Sequence, residues 1–346
     1  MSFFLCKENR RTGRKVTPNF VPIVFFLKIL PSKSHFCPDC GLLHTVPQKS
    51  DVSLYINFDR VKQCVENGGM RLFIIYLKIN KFKLCINISI IGAGNVAFHI
   101  ARALQNAPKY WLHQIYSRRP IATDDELARF AQKGVVNDLA QLQADSDIYL
   151  IAISDDAIAD VSAQLNGVLH PNAVVAHTSG SVPLNVLSAH PQRGIWYPLQ
   201  TFSRHRPLNF ADIPLVVHAN TPKALQMLSE LALALSPKLH LLNDEQRQLV
   251  HVAAVFANNF SNHLFAIADD FLQQHQLPFD LLKPLITETA RKVQDIAPQK
   301  AQTGPAKRGD KQTIERHLFL LKNMPTYQNL YQILSDTIQQ VPNANN

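Results

Sequence analysis

The chain has 346 residues, enough for two domains, and its hydrophobic fraction of 46% is ordinary for a soluble protein. Its net charge of +9 is unevenly placed: residues 1–86 hold 14 of the 35 Lys+Arg and 5 of the 26 Asp+Glu, leaving 21 of each in residues 87–346. The body is therefore neutral overall, which argues against a nucleic-acid groove.

Residues 1–86 stand apart in other ways. All five cysteines (Cys6, Cys37, Cys40, Cys64, Cys85) lie there, so the body has no disulfide framework and fits a reducing cytoplasm. Two apolar runs, residues 20–30 and 72–79, contain or border lysine and fall short of the ~20 residues a membrane-spanning helix needs. No small-residue cleavage site follows the first, as a signal peptide would require. Cys37 and Cys40, flanked by His35 and His44, have the spacing of half a zinc site, but no second C-x-x-C follows. The reading is a basic, poorly ordered extension upstream of the native start, with Met70 an available internal start and no metal ligands assigned.

From Asn87 the pattern alternates strand and helix, which predicts a Rossmann-type, doubly wound parallel α/β sheet. Residues 87–91 are an apolar, β-branched run leading into Gly92, Gly94 and Ala97 at the spacing G-x-G-x-x-A. A helix follows over 95–104 with Val96, Ile100, Ala103 and Leu104 on one side. A pyrophosphate needs this arrangement. The first glycine permits the tight turn and the second lets backbone approach. The small third residue lets helix pack on strand, and the N–H groups of Asn95 and Val96 point at the anion.

The second strand, 113–117, ends where NAD sites place an acidic residue for the ribose diol. Here the chain reads Ser117-Arg118-Arg119, a hydroxyl and two guanidiniums suited to a 2′-phosphate, so NADP is the expected cofactor. Two solvated arginines are the alternative. A helix is expected over 124–133, strands over 134–136, 147–153, 173–176, 193–197 and 214–218, a helix over 222–235 and a short strand over 239–242. Ser154 and Asp155 end the fourth strand and should line the cofactor. Beyond Asn243 the strands stop: helices are expected over 244–275, 278–295 and 326–340, with a turn-rich loop over 302–310. The domains are thus residues 1–86, an NADP-binding domain at 87–243, and an all-α substrate and dimerisation domain at 244–341.

His177, Thr178 and Ser179 end the fifth strand beside the expected nicotinamide position, although Thr and Ser also cap helices. At α-helical spacing His251, Val255, Asn258 and Asn262 share one stripe, with Asn259 and His263 beside it. Amides on so apolar a stretch either bond one another or face a substrate. His251, Asn258 and His177 are the catalytic candidates, and Thr178, Ser179, Asn262 and Arg308 the substrate contacts. Asp310 is a further candidate in the 302–310 loop, which could hold a carboxylate or be merely solvated.

The segments IGAGNVA, IAISDDAI (151–158), HTSGS (177–181), WYPLQTFS (196–203) and QTGPAKRGD (302–310) together resemble the Rossmann-like oxidoreductases that carry domain of unknown function 2520. These are similar to pyrroline-5-carboxylate reductase and, more distantly, to 6-phosphogluconate dehydrogenase-like proteins. The resemblance covers residues 87 to about 340. It implies NADP-dependent hydride transfer to a small polar C=O or C=N substrate bound between the domains, and a homodimer formed through the helical domain. Related dehydrogenases offer the substrate a lysine from a helix at this position, whereas this chain has none between Arg247 and Lys283. A non-catalytic NADP-binding regulator is therefore the alternative, and a metal-binding regulator built on Cys37 and Cys40 ranks last.

Overall fold

A computed structural model of the chain describes residues 85–122 and 124–340, with the backbone of a two-residue antiparallel pair, β1 (Ile23–Val24) and β2 (Ile74–Ile75). The Cys37/Cys40 motif and Met70 lie outside the described residues. The main sheet has eight strands: β3 (Ile86–Ile91), β4 (Tyr110–Tyr116), β5 (Val135–Val136), β6 (Ile148–Ile151), β7 (Val174–His177), β8 (Gln192–Pro198), β9 (Leu215–Ala219) and β10 (Leu239–Leu241). Their order is β10-β9-β8-β7-β6-β3-β4-β5, and the pairs from β5 through β8 are parallel. Counted from β3, the six strands from β5 to β8 follow the order 3-2-1-4-5-6 of a doubly wound dinucleotide fold.

The switch point of that order lies between β3 and β6, where Ile91 pairs with Ile151. β6 is covered on both faces and reads as an unbroken apolar run, whereas β3 carries Asn87 and Ser89 among its isoleucines. Ile148, Tyr149, Leu150 and Ile151 are all fully buried. Ser89 and Ser146 share a hydrogen bond of 2.8 Å, and the backbone N–H of Asn87 donates to Asp147 Oδ2 at 2.8 Å.

Between the strands lie α1 (Asn95–Leu104), α2 (Glu126–Phe130), α3 (Asp155–Leu165) and α4 (Pro222–Leu235). α1 buries Ala97, Phe98, Ile100, Ala101 and Leu104 in the core. α4 starts where it should, because Thr221 accepts from Ala224 N–H and Pro222 fills its first turn. α2 is half the length expected for residues 124–133, since Ala131 is already extended. β4 begins three residues before the predicted 113.

The helical region contains α5 (Asp244–Ala254), α6 (Ser261–Gln274), α7 (Lys283–Asp295), α8 (Pro298–Ala301), α9 (Pro305–Arg308), α10 (Lys311–Leu320) and α11 (Pro325–Gln340). Two expectations are corrected in this region. The helix expected over 244–275 is broken by a π-helical segment, Val255–Phe260, between α5 and α6. The loop expected over 302–310 contains α9 and ends at Asp310, which caps the unforeseen α10 by accepting from Thr313 N–H.

The chain divides into two compact units. Among the described residues, one comprises those from Cys85 to Thr178, Leu184–Trp196 and Phe202–Leu239; the other comprises Ser179–Pro183, Tyr197–Thr201 and those from His240 to Gln340. Among the described residues no helix is long and apolar enough to cross a membrane, and no group of three His, Cys, Asp or Glu side chains could hold a metal ion.

Candidate functional site

In the first unit the turn from β3 into α1 contains two glycines with different physical reasons. Gly92 has φ +121°, and a Cβ there would lie 2.2 Å from the Ala152 carbonyl oxygen. Glycine alone fits both the conformation and the close approach to the loop after β6. Gly94 is extended at the N-cap of α1 (φ −77°, ψ −172°), is exposed, and has nothing within 4 Å of where a Cβ would stand. The protein itself does not need a glycine there, so the open space lies where a ligand would meet backbone. No side chain caps α1 and no acidic residue occupies its first turn. Its first N–H groups are left for an external anion.

The side chain of Asn95 faces another task, donating to the Phe202 carbonyl at 3.0 Å, while His99 Nε2 donates to that of Ser203 at 3.0 Å. α1 thereby anchors residues 202 and 203 of the WYPLQTFS segment. Val96 packs partly against the core, which leaves its backbone N–H as the group available to an anion. At the end of β4, Ser117 is buried and its hydroxyl donates to the Arg119 carbonyl at 2.7 Å, fixing the turn. Arg118 and Arg119 are exposed, and neither guanidinium has a hydrogen-bond or ion-pair partner among the described residues. Ser154 is the N-cap of α3, without a side-chain cap bond, and Asp155 is in its first turn; both are exposed.

His177 closes β7 with its side chain fully buried. Thr178 N–H and hydroxyl both donate to the Ile151 carbonyl, at 3.1 and 3.4 Å.

The second unit begins with a turn held by buried polar groups. Ser179 Oγ accepts from the N–H groups of Ser181 and Val182, at 3.1 and 3.0 Å, so its hydroxyl caps the turn. Arg247 of α5 is fully buried and donates to the carbonyls of Ser179 at 3.0 Å and Val182 at 2.6 Å, while pairing with Asp244 at 2.9 Å. A capping box of Asn243 and Gln246 sets where α5 starts, and so which residues face this turn. One helical turn after Arg247, His251 Nδ1 lies 3.2 Å from Tyr197 Oη.

The π-helical segment corrects the stripe of His251, Val255, Asn258 and Asn262. Its wider turn inserts about one residue, rotating the rest of the helix by roughly 100°. The α-helical spacing that would place Asn258 and Asn262 on the face of His251 therefore does not hold through residues 255–260. Ser261 Oγ reaches back five residues to the Phe256 carbonyl at 3.3 Å, as such a turn permits. Asn258 is exposed and its amide approaches Asn259 Oδ1 at 3.5 Å. Arg308 is exposed on α9. Asp310, by contrast, has a structural role. Hydrogen bonds from the Thr313 hydroxyl and N–H, with Arg308 and Arg316 nearby, hold its carboxyl below the usual range.

Comparisons with known proteins agree with this layout. The family described as "NADP oxidoreductase coenzyme F420-dependent" matches residues 87–180, and "Domain of unknown function (DUF2520)" matches residues 213–338. A solved Bacteroides fragilis protein, provisionally named an NADP oxidoreductase, is 38% identical, covers 74% of this chain and 98% of its own, and has a TM-score of 0.70. This chain belongs to the DUF2520 oxidoreductase family. Two further structures share the family fold. A Thermotoga maritima protein is 20% identical over 73% of this chain and 100% of its own, TM-score 0.60. A 1-pyrroline-5-carboxylate reductase from Streptococcus pyogenes is 13% identical over 75% and 100%, TM-score 0.50. A search of curated proteins found no match.

The DUF2520 oxidoreductase therefore has a nicotinamide-type, NAD(P)-binding oxidoreductase fold. Two residues of this site, Arg247 and Tyr197, are not among the candidates that the sequence suggests. The available signals were an arginine inside the first two turns of a capped helix and an aromatic ending a strand. Neither signal names a partner more than fifty residues away.

Proposed function

We propose that this DUF2520-family chain is an NADP-dependent oxidoreductase that moves a hydride between NADPH and a small polar substrate bearing a C=O or C=N bond. The observation carrying this reading is the uncapped N-terminus of α1 behind the open backbone of Gly94, at the switch point of the sheet. Bound there, the nicotinamide cofactor would supply or accept the hydride. The α1 N–H groups, with those of Asn95 and Val96 among them, would hold the pyrophosphate. Arg118 and Arg119 would grip the 2′-phosphate through charge-assisted hydrogen bonds, which favours NADPH over NADH.

His251 is the proton donor and acceptor in this reading, since imidazole has one nitrogen to give a proton and can take it back. It is half-buried, and its Nε2 has no hydrogen-bond partner among the described residues. Asn258, Asn259 and Asn262, which follow His251 along the same stretch of helix and are exposed, would orient the substrate. Arg308 is an exposed cation for a substrate carboxylate. His177, fully buried at the end of β7, is given no proton-transfer step in this scheme.

The helical unit also supports a homodimer. Among the described residues beyond Leu241, Ala306 and Ile314 are the buried apolar side chains, while Leu249 (66%), Phe256 (65%) and Phe319 (65%) are widely exposed. Helices this apolar without a core of their own fit a second copy of the same chain. The cysteine-free body suits the cytoplasm.

A panel of small carbonyl and imine compounds, followed by NADPH consumption, tests the reading. Turnover should appear with at least one class and fall about 10²-fold in His251→Ala, with NADPH affinity unchanged. A second reading, binding without turnover, is favoured by the missing lysine between Arg247 and Lys283. NADPH binding with no consumption across the panel would support it instead.

A further inference from the structure

We infer that Tyr197 is a positioning residue that holds His251 as the Nδ1–H tautomer and so makes Nε2 the reacting nitrogen. The inference rests on the reading of His251 as the proton-transfer group. Its geometric basis lies within one unit. Tyr197 Oη is 3.2 Å from Nδ1, and the two rings meet edge-on at 6.0 Å between centroids and 75° between planes. Gly180 seals the other side. A Cβ at Gly180 would lie 2.4 Å from Nδ1, 2.8 Å from Cγ of His251 and 2.8 Å from Cζ of Tyr197. Gly180 has no left-handed backbone to explain it, so the glycine is there because hydrogen is all that fits against the pair.

The support behind the pair is rigid. Arg247, one turn before His251 on the same helix, holds the carbonyls on either side of Gly180, those of Ser179 and Val182. The Ser179 hydroxyl caps the same turn. The imidazole is thus clamped between a phenol and a buried turn at Nδ1 and Cγ, whereas Nε2 has no protein partner among the described residues.

The direction of the hydrogen bond follows from the chemistry. In the reducing direction the imidazolium gives its Nε2 proton to the substrate oxygen or nitrogen that has gained the electron pair. It is left neutral with Nδ1–H donating to Tyr197 Oη. In the oxidising direction the bare Nε2 takes that proton back, and Nδ1–H is unchanged. The opposite arrangement, phenol donating to Nδ1 and a neutral Nε2–H, would need a tyrosinate to form as Nε2 lost its proton. A phenol is a far weaker acid than an imidazolium, which opposes that transfer. A hydroxyl that accepts from Nδ1–H throughout is the arrangement that serves both directions, and it follows the logic of an oriented general base.

The test needs no substrate. The full chain, with 15N-labelled histidine, is observed by long-range proton–nitrogen correlation of the imidazole nitrogens under alkaline conditions, with His251→Gln giving the assignment. Neutral His251 should show a protonated Nδ1 and an unprotonated Nε2. Tyr197→Phe, which keeps the ring and removes the hydroxyl, should shift the population to Nε2–H, and Gly180→Ala should do the same by displacing the ring. Thermal melting of both variants reports whether they fold. An Nε2–H tautomer in the wild type, or an unchanged Nδ1–H tautomer in a folded Tyr197→Phe protein, overturns the inference. Either result leaves hydride transfer itself to be decided by the turnover assay, and a failed turnover assay leaves the tautomer result intact.

Discussion

Adding one methyl group at each of the two glycines of the β3–α1 turn should have opposite consequences. In Gly92→Ala the methyl must occupy a site 2.2 Å from the Ala152 carbonyl oxygen, on a backbone held at φ +121°. The strained backbone costs about 1–3 kcal/mol, and forced overpacking about another 1–3 kcal/mol. At about 2–4 °C per kcal/mol for a unit of this size, the melting temperature should fall by roughly 5–20 °C. In Gly94→Ala the backbone is already extended and the methyl enters open space, so stability should be unchanged or raised by less than about 1 kcal/mol. Its effect should instead appear in cofactor binding. Losing one hydrogen bond to a charged phosphate costs about 1.5–3 kcal/mol, or about 10–100-fold in affinity. Circular dichroism melting and calorimetric NADPH titration of both variants separate the two effects. Wild-type NADPH affinity in Gly94→Ala would refute the assignment of that open space to a phosphate. An unshifted melt in Gly92→Ala would refute the packing argument.

Replacing Arg118 and Arg119 together by alanine should weaken NADPH binding about tenfold or more and leave NADH binding almost unchanged, read by titrating both nucleotides; equal losses would show that the arginines act elsewhere. Arg247→Met should leave two buried carbonyls unpaired at about 1–3 kcal/mol each, visible as a lower denaturant midpoint for the helical unit. Burial holds the His190 imidazole below its usual range, with the Ser162 carbonyl opposing and Arg193 reinforcing the shift. The unfolded chain therefore takes up the proton first. Stability from neutral His190 is complete above about pH 6.5 and is lost as pH falls from there through the folded value. Melting across that window should drop less in His190→Gln than in the wild type.

The first half of the fold was readable because its signals are local. β3, Gly92, Gly94 and α1 are contiguous, and β6 is an unbroken apolar run consistent with a strand covered on both faces. The start of α5 was equally local, through Asn243 and Gln246. The failures have a different origin. Residues 255–260 have nothing in their composition to distinguish a π-turn from an α-helix. The wider hydrogen-bond ladder nevertheless breaks the α-helical spacing on which the stripe of His251, Asn258 and Asn262 depends. Asp310 invites a reading as an anion-loop residue, yet its spacing to Thr313 is that of a helix cap. The pairing of Tyr197 with His251, fifty-four residues apart, and the burial of Arg247 against Ser179 and Val182 depend on tertiary packing, which no window of sequence contains.

The central claim is that the uncapped end of α1 and the arginines after β4 form an NADP site. Calorimetric titration of the wild-type chain with NADPH and with NADH tests it most directly. One NADPH should bind per chain, at least several-fold tighter than NADH, whereas equal affinity for the two nucleotides, or heat from neither, would rule out an NADP site there.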